Sequence, residues 1–332
     1  MKFGVQVSCY NTDWEKIRSS IETLEGGRWN SLWFADHFLP PSPGSPGGQR
    51  DQEQGTAFEG FTLAAIAAGM TEKLEIGHLV LGNTYRNPAL VAKMASTIDQ
   101  ASKGRFILSL GAAWFAREHE AYGWTFPSLR ERSDRFEEAC ELIRLLFTSE
   151  EPVNYSGRYY NLEDAPLSPS CYRDPHVPIL VGGTGEKRTL RTLAKYGDIL
   201  NIDGWSGRGM SLDLYHHKVG VLETHCENVG RDPSDIKHSL LMPIKITNNQ
   251  KEAEEFIKRL GYRASDPSHG NFAGKLLSPE DSGSVAGSRD YVIERIAEFV
   301  EAGVDEIMFG GISTGDTEQL EQIEQDIVGA FK

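Results

Sequence analysis

Cysteine is scarce in this sequence: four residues in 332, Cys9, Cys140, Cys171 and Cys226, all far apart. None sits in a C-x-x-C pair or at a Cys/His ligand spacing, so neither a disulfide framework nor a structural zinc site is suggested, and no metal is expected. Long apolar runs are missing too. No stretch reaches the ~18 residues of a membrane span, and MKFGVQVSCY has neither the apolar length nor the cleavage pattern of a signal peptide. The expected location is cytoplasmic, with no membrane partner. Basic residues are the rarer charge, 34 against 48 acidic, for a formal net charge of −14. That balance repels a nucleic-acid backbone. The one locally basic stretch, EKRTLRTLAK at 186–195, is too small for a duplex and large enough for one phosphate.

What the sequence does have is alternation. Strand-like runs FGVQVS (3–8), SLWFA (31–35), LEIGHLVL (74–81), RFILSLG (105–111), VPILVGG (177–183), DILNID (198–203), DIKHSLLMPIKI (235–246) and VDEIMFG (304–310) are separated by amphipathic helical stretches. Asp13 is a plausible N-cap for the first helix, and Pro88 fits the first turn of the third. Strands separated by helices imply parallel pairing, because a parallel crossover needs a dozen or more residues. Eight such units predict a closed (β/α)8 TIM barrel, one domain over 1–332, rather than an open doubly wound sheet. The open sheet is further disfavoured because no G-x-G-x-x-G follows the first strand. Two insertion segments interrupt the pattern, at about 150–176 and 259–288. The first contains VNYSGRYYNL, read as a hairpin turning at Ser156-Gly157.

In such a barrel the active site lies at the carboxyl ends of the strands. Strand two ends on Asp36-His37, where two polar side chains would be costly to bury without partners. There a carboxylate can accept from a cofactor ring N–H or orient an imidazole, and the histidine can move a proton near neutral pH. VGGTGEKRTL puts three glycines directly after a strand, so backbone N–H groups can approach an anion at a helix N-terminus. Lys187 and Arg188 in the first turn oppose the helix dipole unless an anion lies nearby, which points to phosphate. Gly82 leaves room at a strand mouth for a planar ring, while Arg86 either helps start a helix or pairs with a carboxylate. In LGAAWFAREHEAYGW, small residues 111–113 permit close approach of a ligand, and Trp114, Phe115, Tyr122 and Trp124 are candidates for a pocket wall.

Taken together, SLWFADHF, the RNPALVAKMASTIDQASKGRFILSLGAAWFAREHEAYG run and the VPILVGGTGEKRTLRTLAKYGDILNI run resemble the bacterial luciferase-like superfamily over nearly the whole chain. The Asp-His pair makes the sequence more similar to the branch using coenzyme F420 than to the FMN branch. That resemblance implies a bound deazaflavin whose phosphate rests on Gly182, Gly183, Thr184 and Gly185. It implies a ring contact from Asp36, a proton donor or acceptor in His37, and a non-prolyl cis peptide at Leu79-Val80, followed by Gly82 and Asn83 beside the ring. Ala112, Ala113 and Trp114 match positions flanking the ring or its side chain. Trp114 stands where sugar-phosphate dehydrogenases of this family carry a catalytic acid, which speaks against glucose-6-phosphate oxidation. The implied activity is hydride transfer between deazaflavin C5 and a small organic substrate, walled by Trp114, Trp205, Phe38 and Tyr10. The alternative is an FMN-dependent, O2-consuming monooxygenase. A homodimer fits the exposed helices of such barrels.

Overall fold

The computed structural model describes residues 1–40, 55–203, 211–264 and 283–331, without the side chains of 259–264. In chain order the elements are β1 (Lys2–Val7), α1 (Trp14–Gly26), β2 (Ser31–Phe34), α2 (Gly60–Met70), β3 (Glu75–His78), β4 (Leu81–Gly82), α3 (Pro88–Ser102) and β5 (Phe106–Gly111). Then come α4 (Ala116–Tyr122), α5 (Leu129–Thr148), β6 (Val153–Ser156), β7 (Asn161–Ala165), β8 (Ile179–Gly182), α6 (Thr189–Tyr196), β9 (Ile199–Asp203) and α7 (Leu212–Val229). The chain closes with β10 (Lys237–Ile246), α8 (Gln250–Ala264), β11 (Val285–Gly287), α9 (Arg289–Glu301), β12 (Glu306–Gly310) and α10 (Thr317–Asp326). Strands pair in the order β9-β8-β5-β3-β2-β1-β12-β10, and β10 pairs back onto β9, which closes a parallel barrel of eight strands. The expected (β/α)8 architecture is the observed one.

Local chemistry explains the boundaries. Asp13 caps α1 by accepting from Lys16 N at 3.0 Å, and Pro88 opens α3 behind the Asn87 cap. β5 is buried at every residue, as a strand covered on both faces must be. The run 74–81, read as one strand, divides into β3 and β4 around a cis Leu79-Val80 peptide, as the resemblance implied. β6 and β7 pair antiparallel with Gly157 N donating to Tyr160 O at 2.9 Å, which is the hairpin read from VNYSGRYYNL. Two elements escaped the sequence reading. AREHEAY forms the short helix α4, stopped by Gly123 at φ 70°, and β11 lies inside the segment expected to be a loop excursion. Residues 265–282 of that excursion lie outside the described residues.

Most of the core fills the shell between strands and helices, while a smaller cluster of Trp33, Ile107, Leu180, Leu241 and Met308 fills the barrel interior. Below that cluster, at the amino ends of the strands, Glu306 accepts from Ser31 Oγ, and Trp33 Nε1 donates to the same hydroxyl at 2.6 Å. Burial, aided by the nearby Glu75 charge, pushes the Glu306 carboxyl up to about 7 from an ordinary value of 4.5. The folded protein therefore holds a proton that the unfolded chain releases between those two values, so this residue's contribution to stability falls as pH rises through that window. Glu306→Gln removes the ionisation. In urea unfolding the variant should gain roughly 3 kcal/mol over wild type at pH 8 and almost nothing at pH 4. An equal difference at both pH values would contradict this.

Candidate active site

The polar end of β2 has partners for both side chains. Asp36, 2% exposed, takes a fork from Arg86: Nη1 donates to Oδ2 at 2.9 Å and Nη2 to Oδ1 at 2.8 Å. Gly82 N donates to Oδ2 at 3.0 Å, so three of about four acceptor directions are used. Arg86 also reaches Glu59, which caps α2 through Phe61 N and Thr62 N. Burial opposes the charged guanidinium, and the two carboxylates overcome it and raise its affinity for the proton. Of the two readings of Arg86, the structure thus selects the ion pair. Asp36 and Arg86 together tie the end of β2 to the bulge between β3 and β4.

His37 is held from the other side. Its Nδ1 lies 3.0 Å from Oε2 of Glu118 in the first turn of α4. Glu118 is fully buried and also accepts from Tyr85 Oη at 2.5 Å, Phe38 N at 2.5 Å and Leu39 N at 3.0 Å. Burial pushes its carboxyl upward, but the His37 and Tyr85 hydrogen bonds outweigh that and hold it below the usual carboxylate range. The imidazole stands edge-on to Trp114 (centroids 5.3 Å apart) and Phe115 (5.8 Å), with the Tyr10 ring at 6.3 Å. Sequence reading missed Glu118. The available signal was an acid set among apolar and aromatic neighbours on the same rim.

The bulge itself fills the space expected for a ligand at Gly82. A Cβ on Gly82 would fall 2.3 Å from the Tyr85 ring, so the tyrosine occupies that room. Likewise a Cβ on Gly182 or Gly111 would meet Val80 methyls at 2.6 and 2.8 Å. Val80 therefore seats its side chain between the ends of β5 and β8, and both glycines are required by that close approach. Asn83 N donates to Gly111 O at 2.9 Å, and its Nδ2 reaches Tyr160 of the hairpin at 3.4 Å. Ala113, at φ 60°, turns the chain from Ala112 toward Trp114, which is 38% exposed.

After β8, Gly183 adopts φ +116°, and a Cβ on Gly185 would lie 2.8 Å from Thr189 Oγ1 at the start of α6. This is a tight backbone cradle at a helix N-terminus, and Gly182 to Gly185 are all partly exposed. The charge argument for an anion there needs correction. Arg188 pairs with Asp134 of α5 and donates to Arg130 O at 3.1 Å, while Arg191 and Lys195 both pair with Glu137. Helix α5 lies beside α6 and supplies carboxylates where the sequence suggested a ligand. Lys187 stays exposed.

One other expectation changes. Phe38, Tyr122 and Trp124 do not line the space beside His37; they pack with one another and with Tyr85, at 4.8–5.5 Å between centroids. They anchor the loop after β2 to α4, with Tyr122 left about half exposed. Trp114, Phe115 and Tyr10 remain as the aromatic wall, and Trp205 lies outside the described residues. At the opposite end of the barrel a groove is lined by Lys2, Arg28, Lys73 and Glu75, but its cations are engaged by Glu75, Glu324 and backbone carbonyls. Among the described residues there is no cluster of metal-ligating side chains and no helix long and apolar enough to cross a membrane.

His37, the bulge, the Gly111–Trp114 turn and the glycine loop thus follow neighbouring strands β2, β3, β5 and β8 on one rim. A family model described as luciferase-like monooxygenase matches residues 1–306. An F420-dependent glucose-6-phosphate dehydrogenase of Kineococcus radiotolerans is 30% identical over 77% of this chain and 71% of its own length. One from Amycolatopsis mediterranei is 27% identical over 90% of this chain and 89% of its own. Among solved structures, an F420-dependent secondary alcohol dehydrogenase in complex with an F420-acetone adduct superposes with a TM-score of 0.76, at 22% identity and 98% coverage of both chains, which speaks for the shared fold. The barrel, its cis bulge and the match across most of the sequence have one conclusion: the chain belongs to the luciferase-like monooxygenase family.

Proposed function

We propose that this protein is an F420-dependent oxidoreductase acting on a small hydroxyl- or carbonyl-bearing substrate. The observation that carries the reading is the single rim: the glycine cradle after β8 and the imidazole after β2 flank one bulge, an arrangement suited to one elongated coenzyme. The residues present fit such a coenzyme. Gly183, Thr184 and Gly185 would take the phosphate on backbone N–H groups, with Lys187 as the exposed cation beside it. Leu79, Val80 and Asn83 would back the ring, flanked by Ala112, Ala113 and Trp114, and Asp36 would hold that bulge in place through Gly82 N and Arg86. When bound, the deazaflavin supplies hydride chemistry at C5. His37 moves the proton on the substrate oxygen, and Trp114, Phe115 and Tyr10 exclude water around it. The dehydrogenase names of the two F420 relatives support this branch, and four free cysteines suit a reducing, cytoplasmic setting.

Trp114 and the absence of an acid at that turn argue for a substrate other than glucose 6-phosphate. Titrating the protein with F420 and with FMN, followed by quenching of its six tryptophans, separates the two coenzyme readings. F420 should bind at least about tenfold tighter, a difference of ~1.4 kcal/mol. Tighter FMN binding, with O2 consumption, would instead establish the monooxygenase.

A further inference from the structure

We infer that Glu118 is a positioning residue which fixes the His37 tautomer, with the proton on Nδ1 and the lone pair of Nε2 presented to the site. Donor counting carries this. The Glu118 carboxylate receives Phe38 N–H and Leu39 N–H on Oε1, two groups that can only donate, and Tyr85 O–H on Oε2, and these bonds hold the carboxyl ionised, below the usual carboxylate range. An ionised carboxylate has no proton to give, so the contact at 3.0 Å requires His37 Nδ1 to be the donor. Trp114 and Phe115 meet the ring edge-on, so the ring plane is fixed as well as its tautomer. The neighbouring His119 serves a different purpose. Its Nδ1 lies 2.9 Å from Phe115 O and its Nε2 2.7 Å from Thr84 Oγ1, which spends both nitrogens on structure.

The consequence rests on the proposed function: His37 is the proton acceptor for alcohol oxidation. Nε2 would take the hydroxyl proton of an alcohol substrate, or return it to the oxygen of a carbonyl one, while a bound deazaflavin would supply the hydride chemistry. Tyr85 shares the same carboxylate, so it orients Glu118 rather than the substrate.

The test uses the unliganded full-length protein labelled with 15N-histidine, read by NMR in alkaline buffer. Wild type should show His37 protonated on Nδ1 and bare on Nε2. In Glu118→Gln the amide must turn its oxygen to the Phe38 and Leu39 N–H groups, which leaves its NH2 facing His37; the proton should then move to Nε2. Turnover of a secondary alcohol with F420 should fall at least about 100-fold, with coenzyme affinity within about threefold, the pattern of a wrong-tautomer base. Glu118→Asp should retain the Nδ1 proton. A wild-type His37 protonated on Nε2, or a folded Glu118→Gln that keeps the Nδ1 proton and full turnover, overturns the assignment. Correct tautomers in a wild-type protein that shows no F420 activity would support the assignment and overturn the proposed function.

Discussion

His37→Ala should lower turnover with F420 and a secondary alcohol by about 100- to 10,000-fold, the range lost with a positioned acid–base group. Among the described residues of the site, the imidazole combines a proton-carrying atom, a fixed plane and an accessible face: its side chain is 16% exposed whereas Asp36 and Glu118 beside it are 1% and 0%. Coenzyme affinity should change less than about threefold, because the glycine cradle proposed for the anionic tail follows another strand and deleting the imidazole removes no charge pair from it. The fold should also tolerate the change, since the partner left behind, Glu118, keeps three donors. Steady-state kinetics alongside the tryptophan titration decide the matter. Unchanged turnover with a collapse of coenzyme affinity would show that the histidine binds rather than reacts.

Arg86→Met should cost about 3–5 kcal/mol in urea unfolding, as expected when one partner of a buried ion pair is removed and the other is left uncompensated. Asp36 is the stranded group: at 2% exposure it retains only the Gly82 amide as a donor. Glu59 loses less, being the more exposed of the two and still bonded to the first amides of α2. Adding Asp36→Asn should recover part of the loss, because a neutral amide is far cheaper to bury than an unpaired carboxylate. Arg86→Lys should fall between, keeping the charge but losing the bidentate fork. A single Arg86→Met variant within about 1 kcal/mol of wild type, the scale of exposed surface pairs, would mean that the cluster behaves as if solvated.

The strands were legible in the sequence because each is a short apolar run with a helix after it, and burial of both faces leaves little room for ambiguity: β5 and β12 carry buried residues throughout. The barrel rule then assigned His37 and the glycine loop to the carboxyl rim, where β2 and β8 end. What stayed hidden depends on contacts far apart in the chain. Glu118 lies 81 residues from His37 and 33 from Tyr85, on a helix too short to announce itself by periodicity. The pairing of Arg188 with Asp134 crosses 54 residues and reverses an inference drawn from local charge alone. Gly82 was misread for a similar reason: a missing side chain looks like empty space until the Tyr85 ring, three residues on, is seen to fold back over it.

A crystal structure of the protein soaked with F420 is the most direct measurement of the site. The deazaflavin C5 should lie beside His37, with Leu79-Val80 behind the ring and the phosphate on the amides of Gly183 to Gly185. A coenzyme bound in the reverse sense, with its phosphate near His37, or bound at the Lys2 and Glu75 end of the barrel, would contradict the assignment of this rim.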